Sequence, residues 1–358
     1  MKTRRSFLTG LLATGLLPSP TWADVGAPAF LSAAKTPSGA FVLVGINLDF
    51  SEAFRLPLPA RGHAAAAHPI RPEAVAFARR PGNYALVIDC LNGEIRARLD
   101  APQGRHFFGH GAFSAQGDVM FTTEKDYENA QGMIGVWDVS SGYKRIGEFA
   151  SGGIGPHEIA QMPSGDALVI ANGGIETHPD SGRTKLNIPT MRPNLTYATF
   201  DGTITDQIAP PSELHRNSIR HLAVSTDGTV AIAMQWQGDK QQIVPLVGTH
   251  TSGDTLNMFD APKALWREMQ GYVGSIAISG TGNHVATTSP RGNIAVVFDT
   301  TRNNVTDTVS MEDVCGVAVQ NGQIIATSGQ GLITTLSGSV HTRSDLQFDN
   351  HLVQIRAF

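Results

Sequence analysis

GHGAFSAQGDVMFTTEKDYENAQGMIGVWDVSSGYKRIGEFASGGIGPHEIA, residues 109–160, holds one complete structural unit and the start of the next. His110 heads a short apolar run to Ser114, and a Gly-containing turn leads into a second run, Asp118 to Thr123. A third run, Gly135 to Val139, carries the Trp-Asp pair at 137–138. Lys144 to Ala150 follows, and then Gly-Pro and the next histidine, His157. Short runs rich in Val, Ile, Phe, Thr and Ala, broken by Gly turns, read as antiparallel strands. Four of them per repeat read as a β-propeller blade.

The same phrase recurs along the chain. His63 (RGHAAAA), His110 (FGHGAFS), His157 (GPHEIA), His221 (IRHLAV) and His351 (DNHLVQI) occupy one repeat position. Ser275 (VGSIAIS) and Cys315 (DVCGVAV) hold it in the other two copies. Successive positions lie 47, 47, 64, 54, 40 and 36 residues apart. The last copy stops at Phe358, after a single strand. Its missing partners stand at the other end of the chain, at Phe30 to Ala34, Phe41 to Ile46 and Ala53 to Leu58. The sequence therefore predicts an all-β, seven-bladed β-propeller with four-stranded blades over residues 24–358, closed by the C-terminal strand completing the N-terminal blade. Closure of this kind protects the edges that an open array would expose. No sustained helical period is present, and Ala261 to Met269 reads as one helical turn.

The first residues read differently. Thr3-Arg4-Arg5-Ser6-Phe7-Leu8 is a twin-arginine pattern, followed by an apolar stretch to Leu17 and a small-x-small site, Thr21-Trp22-Ala23. The apolar run is too short to span a bilayer, so residues 1–23 are expected to be an export signal. This predicts a bacterial periplasmic protein carried across the membrane already folded, with no membrane span in the mature chain. The whole chain has 27 basic and 31 acidic residues, and removal of residues 1–23 leaves 24 against 31, a net charge of −7. No basic cluster marks a nucleic-acid footprint. Cys90 and Cys315 would meet an oxidising compartment and could pair, although their repeat positions differ.

The 64-residue interval contains an insertion, NGGIETHPDSGRTKLNIPTMRPNL, residues 172–195, between strands B (Ala167 to Ala171) and C (Tyr197 to Asp201) of the fourth blade. In an up-and-down blade this B–C loop emerges beside the D–A junctions, and so beside the recurring histidines. The fifth blade has a second long B–C loop, Gln235 to Asp254. Long ordered loops gathered on one rim are where a scaffold carries function.

GPHEIA (155–160), ANGGIETHPDSGRTKLN (171–187), SIRHLAV (218–224), GYVGSIA (271–277) and SPRG (289–292) resemble the signature blocks of domain of unknown function 1513. With the twin-arginine pattern, the resemblance covers essentially the whole chain. It implies an exported bacterial propeller of the kind found among iron-uptake genes, beside imelysin-like and cytochrome-like proteins, which are its implied partners. It supplies no reaction and no catalytic residues.

Two constellations could carry chemistry. The first is the recurring position, where His63, His110, His157, His221 and His351, with Cys315, could ligate copper, iron or zinc. Periplasmic copper enzymes built on propellers hold histidine-ligated clusters near the axis, a precedent by analogy only. The competing reading is structural, because in WD-type repeats a Gly-His at this junction bonds within its own blade. The second is the 172–195 loop, with His178, Arg183, Lys185, Asn187 and Met191, to which Arg291 of SPRG adds a cation. Arg183 and Lys185 suit a carboxylate or phosphate, and His178 and Met191 suit iron or copper. Strand alternation predicts that Arg220 and His221 do not both face the axis, and that Glu158 can support His157 only if the strand bends there; inter-blade salt bridges are the competing reading for both. No nucleophile elbow, phosphate loop, haem-attachment motif or zinc helix is present. The sequence thus points to a binding or accessory protein in iron or other metal handling. A metal-dependent or lactonase-like propeller enzyme would use the same rim.

Overall fold

The computed structural model describes residues 19–79 and 82–355. Seven antiparallel sheets follow one another along the chain, each of the up-and-down kind. The third blade runs Arg105–Phe113, Val119–Asp126, Gln131–Asp138 and Lys144–Ala150, close to the spans read from its turns. Blade 1 is built from both ends: Phe30–Lys35 pairs with Phe41–Ile46 on one side, and with Gln347–Phe348 and Val353–Gln354 on the other. The closing strand is thus split in two, and His351 sits in the break.

Each blade–blade interface is filled by apolar side chains. Phe77, Val87 and Phe107 meet Met120 and Trp137 between blades 2 and 3, and Phe30 and Val44 meet Ile325 and Phe348 across the closure. Such faces bury both sides of every sheet, which is why the inner strands are near-continuous runs of Ala, Val and Ile. The helix Lys263–Glu268 lies where one turn was expected, and its Trp266 stacks at 5.8 Å on Phe298.

Three details depart from the sequence reading. Strand C of blade 4 is Asn194–Thr199, three residues earlier than expected. In blade 5, Val247–His250 is strand C, so the B–C loop ends well before Asp254. Cys90 and Cys315 are both buried free thiols and do not pair.

The expected export signal lies mostly outside the described residues. Its last residues are described: Trp22 is buried, and its indole Nε1 donates to the His68 carbonyl at 2.8 Å. Cleavage after Ala23 would remove this contact. Among the described residues no helix is long and apolar enough to cross a membrane.

Candidate metal centre on the propeller axis

The recurring position is where the inner strands lose their regular pairing. The ladder shifts between Gly62 and Ala65, Phe107 and Gly111, Pro156 and Glu158, Ile219 and His221, and Val314 and Val317. A bulge of this kind breaks the alternation of side chains and re-aims one of them. Here it turns a histidine toward the axis in blades 2 to 5, and the strand break does the same for His351. Backbone carbonyls freed by the irregularity are recaptured by hydroxyls. Thr123 Oγ1 donates to the His110 carbonyl at 3.0 Å, and Ser32 Oγ to the His351 carbonyl at 2.9 Å.

The result is a compact cluster of His63, His110, His157, His221 and His351. Neighbouring ring centroids are 4.8 Å apart for His110–His351 and His157–His221, 4.9 Å for His63–His110 and His110–His157, and 5.0 Å for His221–His351. Two overlapping sets, His63–His110–His351 and His110–His157–His221, each bring their ligand atoms within 4.8 Å of one another. His63 Nδ1, His110 Nε2, His157 Nδ1 and His351 Nε2 are buried and have no hydrogen-bond partner among the described residues. Such orphaned buried groups are rare and expensive unless a ligand, ion or water completes them.

Burial is the main force on their titration. It holds His63, His110 and His157 well below the ordinary imidazole value, with the next contribution from His351 for the first two and from Arg220 for the third. His221 is lowered to about 3 and His351 to about 4, again chiefly by burial. The rings are therefore neutral at pH 7, the form that ligates metals.

Glu158 lies inside the cluster. Its Oε2 is 3.0 Å from His221 Nδ1 and accepts the Leu222 N–H at 3.1 Å, while Oε1 is 3.6 Å from His110 Nδ1. Burial raises its carboxyl to about 7, against the opposing pull of His351 and the Leu222 N–H. The bend that such a placement requires is present, because the bulge at His157 shifts the alternation by one residue, and Glu158 meets His221 and His110 rather than His157. The expected separation of Arg220 from His221 is corrected: Arg220 is the extra residue of the blade 5 bulge and lines one cavity together with His221.

The cluster separates two axial cavities. The lower one, about 250 Å³, is walled mainly by Ala64, Ile159, Leu222, Ile276, Val317 and Leu352, with Glu158 and His110 at its ceiling. The upper one, about 290 Å³, has His63, His157 and His221 as its floor and Arg79, Arg183, Lys185 and Arg220 around it.

The other expected site residues are dispersed. Cys315 stands apart from both histidine sets; its thiol donates to the Asp313 carbonyl at 3.1 Å, and burial pushes it up to about 12, so it is no ready thiolate ligand. Ser275 Oγ accepts the Val317 N–H and ties two blades together. Of the 172–195 residues singled out in the sequence, Arg183 and Lys185 reach the upper cavity, where Ile175 and Thr177 of the same loop join them. His178 accepts the Asp180 N–H through Nδ1 and packs edge-on against Tyr127. Asn187 pins the loop through the Glu176 N–H and the Gly174 carbonyl, and Met191 is buried at 1% exposure. These three order the loop. Arg291 stacks 4.3 Å over Tyr272, a wall of the upper cavity. Lys125, unremarked in the sequence, is fully buried and donates to the Thr177 carbonyl at the loop's start.

Residues 56–355 match the family described as "Protein of unknown function (DUF1513)". The chain belongs to DUF1513. No curated protein matches it. Among solved structures, one chain of hydrazine synthase from Kuenenia stuttgartiensis is similar to this DUF1513 protein at 11% identity and a TM-score of 0.62, covering 94% of this chain and 100% of that one. At that identity the likeness is one of fold.

Gly109, directly before His110, is required on steric grounds. Its φ is +99°, and a Cβ there would stand 2.4 Å from the His63 ring of the neighbouring blade. Gly109→Ala is expected to cost about 1–3 kcal/mol for the backbone alone and to push His63 out of the cluster. Chemical denaturation, together with metal titration of the variant, checks both effects.

Proposed function

We propose that this DUF1513 protein is a periplasmic binding or accessory protein that holds a first-row transition-metal ion in its axial histidine cluster. One observation carries the reading: two interlocking sets of three neutral imidazoles, sharing His110, contain four buried nitrogens without a protein partner. A structural Gly-His device would have its ring nitrogens satisfied within the blade. Nitrogen donors suit copper, zinc and iron, and copper(II) stands highest in the affinity order for such sites. Delivery to an imelysin-like or cytochrome-like partner would use the rim that carries the 172–195 loop.

The test is a titration of the chelator-stripped full chain with copper(II), zinc(II) and iron(II), followed by elemental analysis after gel filtration. Saturable, stoichiometric retention of one of these ions is expected. A protein that retains none of them would refute the reading.

A further inference from the structure

The upper cavity has a character of its own. Four cations converge on it from separate elements: Arg79 from blade 2, Arg183 and Lys185 from the 172–195 loop, and Arg220 from the blade 5 bulge. No aspartate or glutamate lines it among the described residues. Arg79 is 3.2 Å from Asp349, but that carboxylate also holds Arg61 at 2.6 Å. Lys185 donates to the neutral amide oxygen of Gln237. Burial, and then the charges of Arg220 and Arg291, hold the Lys185 ammonium below its ordinary value. Like charges gathered in a partly dry space cost free energy that a counter-ion would return.

The cavity also offers a neutral donor: Thr177 Oγ1 is buried without a partner among the described residues. Gly173 is what lets Arg220 lie against the loop, since a Cβ there would stand 3.2 Å from its Nη1. Guanidinium groups offer paired N–H donors that match carboxylate and phosphate geometry. The volume is worth about ten waters at ~30 Å³ each, which admits a small molecule and excludes a polymer.

We propose that the upper axial cavity binds a small oxyanion carrying two or more negative charges, a polycarboxylate or a phosphate, gripped by Arg183, Lys185 and Arg220 above the histidine floor. The site goes beyond the metal reading and does not need it, because every group named belongs to the protein.

The experiment is calorimetric titration of the metal-stripped full chain at low ionic strength with citrate, inorganic phosphate and, as a monovalent control, nitrate. One saturable site for citrate or phosphate is expected, with nitrate at least tenfold weaker; whichever dianion binds tighter assigns the class. Arg183→Gln plus Lys185→Gln should weaken binding at least tenfold at an unchanged melting temperature, since both side chains are exposed on the loop. Thr177→Val should weaken it without changing any charge. Absence of saturable binding by both dianions, or binding that the double variant leaves unchanged, would overturn the proposal. Loss of metal binding through the cluster would leave these titrations as they are, so the two readings fail separately.

Discussion

His110→Ala is expected to lower the protein's affinity for copper(II) by more than about 100-fold, the largest loss of any single substitution in the cluster. Removing an outer-shell partner of a metal ligand typically costs 10–100-fold, and His110 is itself a ligand candidate in both three-imidazole sets. Among the described residues no triad of the same closeness survives its removal. His250 supplies the control. It is as deeply buried, with Nδ1 2.7 Å from the Tyr197 hydroxyl, but it lies in blade 5 away from the axis. His250→Ala should reduce stability while leaving copper affinity within a few-fold of the parent. Competition titration against a chelator of known affinity separates the outcomes. Equal losses in both variants would mean that the effect is general unfolding, and equal affinity in His110→Ala would remove the cluster from consideration.

The metal-free protein is expected to lose stability steeply as the pH falls from about 6.5 toward 5. Each cluster histidine is neutral in the folded state but protonated in the unfolded chain below 6.5, so its contribution is present above 6.5 and is lost as pH falls toward the folded value. For His351, lowered to about 4, that contribution is about 3 kcal/mol, and for His221, lowered to about 3, about 5 kcal/mol. Glu158 acts in the opposite sense. Its folded value is raised from 4.5 to about 7, so its contribution is present below 4.5 and is lost as pH rises to 7, again about 3 kcal/mol. Between 4.5 and 6.5 the five cluster histidines, together with His68, which burial lowers to about 4, outnumber the one carboxyl. Unfolding therefore takes up several protons, and stability falls by about 1.4 kcal/mol per pH unit for each of them. Denaturant titrations of the stripped protein at pH 7.5, 6.5 and 5.5 measure it directly. His63→Asn should reduce the slope by about 1.4 kcal/mol per pH unit, and Glu158→Gln should increase it by a similar amount. A flat profile across this range would show that the rings are already charged in the folded protein, and so unsuited to ligation.

The blade plan was readable because every unit repeats the same signals in the same order. The turn at Ala115–Gly117, the Trp-Asp end of strand C and the Gly-Pro before His157 locate the strand ends beside them to within one residue, whereas strands A and C begin five and four residues before the expected His110 and Gly135. The last copy of the repeat phrase, at His351, pointed to ring closure with the N-terminal strands, and the pairing of Phe30 with Gln354 and of Ala34 with Phe348 carries it out. The coming together of the five histidines followed from the closure. What failed was local. A strict two-residue alternation kept Arg220 from sharing a side with His221 and admitted Glu158 only by a bend, and bulges at the recurring position shift the count by one at both places. Gly62, Gly109, Gly111 and Gly316 beside that position were a readable sign of irregular strands. Nothing in Ser218-Ile219-Arg220-His221 marks the bulge that turns Arg220 inward. Cys315 shares the repeat position but not the axis, since its thiol is spent on the Asp313 carbonyl. Likewise, Asn187 and Met191 looked like ligands but shape the loop from within.

X-ray absorption at the copper edge, on the stripped full chain reloaded with one equivalent of copper(II), tests the central claim most directly. The expected result is a first shell dominated by imidazole nitrogen at about 2.0 Å, with the outer-shell scattering characteristic of three or more histidine rings, and loss of that pattern in His110→Ala. A first shell of sulfur, or of oxygen without imidazole scattering, would contradict it.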